Sequence, residues 1–206
     1  METIFEMEKT IAPSIVRKKF RSDEIHKMIK VGILPEESGW ELIRGEIVRR
    51  MSIGSKHVGT VIKIGKLFER KIGEDVLVST QNPVHLDEYN EPEPDIALLK
   101  PREDFYTESL PVPTDVLLLV EVSDSTIEYD REFKKILYAE AEIAEFWLVN
   151  LKNNTIECYT SPKNGNYRLA KFLARGETID SETIEKLSLR VEEILGQKDY
   201  GTTRNS

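Results

Sequence analysis

The sequence predicts an α/β protein in which helices pack on a mixed β-sheet, and three observations carry the prediction. Val116-Leu-Leu-Leu-Val-Glu-Val122 is a nearly unbroken apolar run, the pattern of a central strand covered on both faces. Glu145-Phe-Trp-Leu-Val-Asn-Leu151 is a second core strand. Two segments, 54–72 and 130–142, carry apolar residues at helical spacing. Helices interleaved with core strands place the chain in the α/β class.

In chain order, residues 1–21 have no clear period and read as an N-terminal arm. A first helix is expected at 23–31, capped by Ser22 or Asp23, with Ile25, Met28 and Ile29 on one face and Gly32 ending it. Trp40–Ile43 and Ile47–Met51 flank Arg44-Gly45-Glu46 as a hairpin or bulged strand pair. The helix at 54–72 turns Val58, Val61, Ile62 and Phe68 to the core and stops at Gly73. Short strands are expected at Asp75–Thr80 and Pro94–Lys100, around a polar loop at 87–93. The helix at 130–142 buries Phe133, Ile136 and Leu137. Strands at 154–160 and 166–173 meander through turns at Lys152-Asn153 and Lys163-Asn164-Gly165. A short helix near 189–195 precedes a polar tail, 197–206, which leaves 22–196 as one domain.

Length and charge narrow the function. At 206 residues the chain suits one domain with a core that needs no disulfide staple. Basic residues number 29 and acidic 37, a net charge of −8. That excludes a protein that holds nucleic acid by bulk positive charge. It leaves open a metal-dependent nuclease, whose site is itself acidic. Basic clusters at Arg17–Arg21, at Arg49, Arg50 and Lys56, and at Arg131, Lys134 and Lys135 read first as ordinary solvated faces. The single cysteine, Cys158, excludes an internal disulfide and a multi-cysteine zinc site, and reads as strand packing. Mean hydropathy is −0.39 and no apolar run has the length of a membrane span. The acidic N-terminus lacks a secretory pattern, so a cytoplasmic, reduced location with no membrane partner is expected.

Several chemistries drop out on spacing. Gly54-Ser-Lys-His-Val-Gly59-Thr60 lacks the lysine that a phosphate-cradling loop needs after its second glycine, so no nucleotide cofactor is expected. His26, His57 and His85 show no zinc-protease spacing, and there is no nucleophile elbow.

Three acids stand where acids are unexpected: Asp95 opening a strand after Pro94, Glu121 at the end of the most apolar strand, and Glu46 in the 40–51 strand pair. A carboxylate at the end of a buried strand must find a cation or a donor. A hard divalent ion such as Mg²⁺, with oxygen ligands at ~2.0–2.1 Å, would serve several at once. A structural salt bridge from Glu121 to a nearby Lys or Arg answers the same need. Asp130, Lys134 and Tyr138, spaced i, i+4, i+8, share a helix face. A lysine beside paired carboxylates suits phosphodiester hydrolysis; an exposed Asp130–Lys134 pair is the plainer alternative.

Taken together, several segments are recognisable. Trp40-Glu-Leu-Ile-Arg-Gly-Glu46, the stretch from Gln81 through Pro94-Asp95 to Leu99, Val120-Glu121-Val-Ser-Asp-Ser-Thr126, and Tyr129-Asp130-Arg-Glu-Phe-Lys134, with Tyr138 and Glu145-Phe-Trp-Leu-Val, occur in order. They resemble the bacterial putative restriction endonuclease family, formerly a domain of unknown function, of the PD-(D/E)xK nuclease superfamily. The resemblance covers roughly residues 20–180.

It implies a restriction-endonuclease-like core, a mixed β-sheet flanked by helices. It implies metal ligation by Asp95 and Glu121, with the Val122 carbonyl as a third donor, and Glu46 as an additional metal-binding and catalytic acid. A standard motif would place lysine at position 123, where this chain has Ser123. The resembling family draws its lysine from the following helix, here Lys134. Gln81 and His57 are candidate substrate or supporting contacts, along with Tyr138, Asp130 and Ser123; a surface position for His57 is the alternative. The implied activity is a Mg²⁺- or Mn²⁺-dependent endonuclease hydrolysing phosphodiester bonds in DNA, acting as a homodimer. Two other readings stay open: a catalytically inactive module that keeps the fold for binding or assembly, and a phosphodiesterase on RNA or branched nucleic acid. The long connection 100–115 is expected to wall the substrate cleft.

Overall fold

The computed structural model describes residues 16–36, 39–49, 54–124 and 126–196. Most of the expected arm, the end of the expected second hairpin strand at 50 and 51, and the tail 197–206 lie outside them.

Helix α1 (Ser22–Lys30) starts one residue earlier than expected. Its N-cap is Arg21, whose backbone N–H donates to the Glu24 carboxylate, so an acid three residues on does the work expected of Ser22 or Asp23. Strands β1 (Trp40–Ile43) and β2 (Glu46–Arg49) form an antiparallel hairpin in which Glu41 faces Val48 and Ile43 faces Glu46. The two-residue turn puts Arg44 and Gly45 at positive φ, 54° and 79°.

The long helix α2 (Ser55–Ile72) corrects one expectation. Its buried stripe is His57, Val61, Ile64, Leu67, Phe68 and Ile72. Val58 and Ile62, each about 100° round the helix from His57 and Val61, face solvent.

Six strands make the central sheet: β3 (Leu77–Thr80), β4 (Ile96–Leu99), β5 (Val116–Ser123), β6 (Glu145–Asn150), β7 (Thr155–Lys163) and β8 (Asn166–Ala174), in that spatial order. All neighbours pair antiparallel except β5 and β6, which run parallel. The sheet is therefore mixed. A two-stranded ribbon of β9 (Thr178–Asp180) and β10 (Ser188–Arg190) leads into α4 (Val191–Leu195), so the helix expected near 189–195 begins at Val191, where the ribbon ends.

The connection that makes the β5–β6 pair parallel is helix α3. It begins at Ile127–Tyr129, passes through a π-helical turn at Asp130–Lys134, and continues as Lys135–Glu140. The π turn is marked by the Lys135 N–H donating to the Asp130 carbonyl, one residue further back than in an α-helix. It also shifts the expected inner face. Leu137 and Tyr138 are buried with Asp130 and Lys134, whereas Phe133 and Ile136 are only half-buried.

Period-two alternation sorts the strands between two cores. On one face Ile96, Leu98, Leu118, Val120, Val122, Trp147 and Val149 pack under α2, α4 and the β9–β10 ribbon. On the other, Ala97, Leu99, Leu119, Phe146 and Leu148 pack under Leu137 and Tyr138 of α3. Glu121 alternates with Val120 and Val122 and therefore belongs to the α3 face.

The connection 100–115 does not lie at the Asp95–Glu121 end of the sheet. It joins the end of β4 to the start of β5, and in an antiparallel pair those ends lie opposite to Asp95 and Glu121. Among the described residues no helix is long and apolar enough to cross a membrane.

Candidate active site

The site is built where β5 ends and β4 begins. Ile96 pairs with Val120, and Asp95, the residue before β4, is tied to the end of β5 by the Val122 N–H, which donates to its Oδ2.

Lys134 reaches this point from α3. Its Nζ donates to Glu121 Oε1 at 2.9 Å and to Glu41 Oε1 at 2.8 Å. All three side chains are 3–4% exposed. The Tyr138 hydroxyl, one turn further along α3, donates to the same Glu121 oxygen at 2.6 Å. Glu41 also accepts the backbone N–H of Glu93 at 2.8 Å. The hairpin is tied over the lysine by a two-way bridge, with Glu91 N–H to the Leu42 carbonyl at 2.8 Å and Leu42 N–H to the Glu91 carbonyl at 3.2 Å.

Asp95 is 1% exposed. Its Oδ2 accepts the Val122 N–H at 2.8 Å and stands 3.0 Å from His57 Nε2. Since a carboxylate only accepts, Nε2 is the donor of this bond. His57 Nδ1 is buried with no hydrogen-bond partner among the described residues. The Gln81 side-chain amide lies 3.5 Å from Asp95 Oδ1, and the Gln81 backbone N–H donates to the Asp95 carbonyl at 3.2 Å. His57 is therefore not a surface histidine: the first turn of α2 presents it to Asp95.

Beyond Glu121, Ser123 is fully buried and its hydroxyl is 3.1 Å from that of Thr126. Thr126 in turn donates to Asp130 Oδ2 at 2.9 Å. Burial raises the Asp130 carboxyl above the usual range, against the pull of nearby Lys134 and of the hydroxyls bonded to it.

Of the residues the sequence singled out, the fold gathers Asp95, Glu121, Lys134, Tyr138, His57 and Gln81, with Ser123 and Asp130 linked by hydroxyls alongside. Glu46 is not among them. It sits at the turn end of the hairpin, opposite Ile43, and is exposed. The hairpin acid that meets Lys134 is Glu41, two rungs nearer the open end. The signal for Glu41 was present in the sequence: Trp40-Glu-Leu-Ile43 is an apolar strand with one acid, the same anomaly that marks Glu121.

Among the described residues no group of three or more His, Cys, Asp or Glu side chains is arranged to hold an ion. Magnesium does not require one. It is commonly held by one or two carboxylates, with waters and substrate phosphate completing the shell. Asp95 and Glu121, hard oxygen donors on adjacent strands, fit that smaller set. The exposed Glu46 does not.

Comparison with known proteins agrees with this architecture. No curated protein matches the chain. Among solved structures, a putative nuclease of the DUF820 group from Anabaena variabilis superposes with a TM-score of 0.65 at 14% identity, covering 84% of this chain and 96% of that one. At that identity the likeness speaks for the fold. The sequence itself speaks for more: residues 23–192 match the Uma2 family, described as putative restriction endonucleases, and the chain belongs to that family.

Proposed function

We propose that the protein is a metal-dependent endonuclease that hydrolyses phosphodiester bonds in DNA, with Mg²⁺ or Mn²⁺ held by Asp95 and Glu121. The observation that carries this reading is the buried Lys134 ammonium on Glu121, on the strand that pairs beside Asp95. The family, described as putative restriction endonucleases, supports it.

When bound, the ion supplies Lewis acidity to the scissile phosphate and acidity to a coordinated water. The protein supplies the rest. His57 and the Val122 N–H fix the Asp95 carboxylate from two directions. Tyr138 fixes Glu121 and thereby the lysine bonded to the same oxygen. Lys134 orients the attacking water and offsets charge that develops on the phosphorus oxygens. Glu41 holds the other side of Lys134 and sets its direction. Two copies acting on opposite strands would turn nicks into a double-strand break.

The test is supercoiled plasmid incubated with Mg²⁺ or Mn²⁺, with and without chelator, beside the Asp95→Ala protein. Metal-dependent nicking lost in the variant is expected. Nicking that survives in Asp95→Ala refutes the assignment.

A second reading has one observation in its favour: Lys134 already provides a cation between Glu41 and Glu121, as a purely structural cluster would. A non-catalytic module of this fold would bind Mn²⁺ weakly and cleave nothing. Calorimetric titration with Mn²⁺ separates the two, since the enzyme requires a site that depends on both Asp95 and Glu121.

A further inference from the structure

The chain carries a net charge of −8, yet helix α2 gathers five cations, Lys56, Lys63, Lys66, Arg70 and Lys71, against one acid, Glu69. At about 100° per residue, Lys56, Lys63, Lys66 and Arg70 fall within an arc of about 80° that excludes Glu69, with Gly59 among them. All four cations are exposed. Among the described residues Lys71 pairs with Glu193, whereas no carboxylate pairs with Lys63, Lys66 or Arg70. Lys63 Nζ lies beside Gly196, 3.3 Å from where a Cβ would stand on that residue. Arg175 comes to the same point, donating to the Gly196 carbonyl and, at 3.2 Å, to the Leu195 carbonyl. Its other contact is the neutral Asn154 side chain at 3.3 Å. Two cations thus meet where α2 passes the end of α4, and an anion placed there would relieve their repulsion.

The stripe starts at the candidate site. His57, next to Lys56 in the chain, touches Asp95 from the first turn of α2, and Lys56 Nζ donates to the Leu151 carbonyl just past β6 at 3.0 Å. From Lys56 to Arg70 the helix rises about 21 Å, more than half of the ~34 Å turn of a duplex.

We infer that this stripe, with Arg175, is where the backbone of a DNA duplex lies while a bond is cut beside Asp95 and Glu121. The inference rests on the endonuclease reading above. A straight row of cations on a rigid helix matches a regular row of phosphates, and the acidic remainder of the surface repels DNA from other faces. Contacts to phosphate fix position without reading bases, so the stripe holds duplex of any sequence. Local charge here replaces the bulk charge that the chain lacks.

Salt dependence tests the stripe. A fluorescein-labelled duplex of about 24 bp is titrated in chelator, to prevent cutting, at NaCl from about 0.05 to 0.2 M. Each phosphate contact contributes about −0.9 to the slope of log K against log salt. The Lys63→Gln/Lys66→Gln protein should therefore show a slope flatter by about 1.8 and binding roughly 30-fold weaker near 0.15 M. Lys163→Gln/Arg168→Gln removes the same charge from exposed positions on β7 and β8 and should change affinity by less than about threefold. Thermal melting checks that both variants fold. Equal effects of the two pairs, an unchanged slope in the α2 pair, or a wild-type protein that binds no duplex overturns the inference and leaves the endonuclease reading to its nicking assay. Loss of binding to phosphatidylserine vesicles in the α2 pair, with duplex binding unchanged, assigns the stripe to a membrane and overturns the inference as well. Stripe-dependent binding by a protein that nicks no plasmid with Mg²⁺ or Mn²⁺ upholds the stripe and overturns the endonuclease reading.

Discussion

Replacing Lys134 with methionine tests the centre of the site without requiring a known substrate. Methionine has a similar length and packs in the same channel, but it cannot donate to Glu41 or Glu121. Both carboxylates are buried to within 4% of full burial, so the change removes the shared ammonium from two desolvated anions. Removing one member of a buried pair costs about 3–5 kcal/mol. For a chain of this size each kcal/mol moves the melting temperature by about 2–4 °C, so a fall of roughly 6–20 °C is expected. Urea unfolding measures the same quantity directly, and an unchanged m-value would certify that the unfolded state is not the cause. The double variant with Glu121→Gln should recover part of the loss, because one of the stranded charges is gone. A loss below about 1 kcal/mol, the value of an exposed pair, would refute a Lys134 held between two buried carboxylates.

The hairpin gives a paired control. Glu46→Gln should leave stability within about 0.5 kcal/mol and plasmid nicking unchanged, since that side chain is exposed. Glu41→Gln should weaken both, and the reverse ranking would restore Glu46 to the site. The Arg102 guanidinium holds the Asp104 carboxyl down at about 2, against an ordinary 3.8. Its contribution to loop stability is therefore complete above the unfolded value and lost as pH falls through about 2. An NMR titration reading the Tyr106 and Glu108 amides, both of which donate to Asp104, should show that midpoint; one near 4 would remove the ion pair. Burial pushes the Cys158 thiol well above its ordinary value, so it should react with a thiol reagent only after unfolding, and rapid labelling of the native protein would contradict its burial.

What was legible in the sequence follows physical type. Strands buried on both faces declare themselves by composition, so 116–122 and 145–151 were placed within a residue or two of β5 and β6. Asp95 and Glu121 stood out because a charge in an apolar strand is expensive. Helix faces were less legible where apolar residues are plentiful. Val58 and Ile62 are as hydrophobic as Val61, and only packing decides which side of α2 meets the sheet. The π turn was invisible, since Asp130-Arg-Glu-Phe-Lys134 carries no glycine or proline to announce it. Glu41 and Glu46 lie in one short hairpin, and nothing local distinguishes them. Which of them faces Lys134 depends on the Leu42–Glu91 bridge, a contact between segments far apart in sequence.

The site's acids are held largely by the backbone, which ties it to the register of the sheet. Asp95 Oδ2 is fixed by the Val122 N–H, and Glu41 Oε1 by the Glu93 N–H. Neither donor can be removed by changing a side chain, and both are positioned by strand and bridge pairing. A slip of one residue between β4 and β5 would turn Glu121 from Lys134 and Tyr138 toward Val61, Ile64 and Phe68, where burial of a carboxylate has no such compensation. Val120 and Val122 would pass from one core to the other in such a slip, since the strands are apolar on both faces, so the single charge of Glu121 is what makes this register count. A substitution that loosens the strand pairing should weaken the Lys134 cluster before any of its own members is touched.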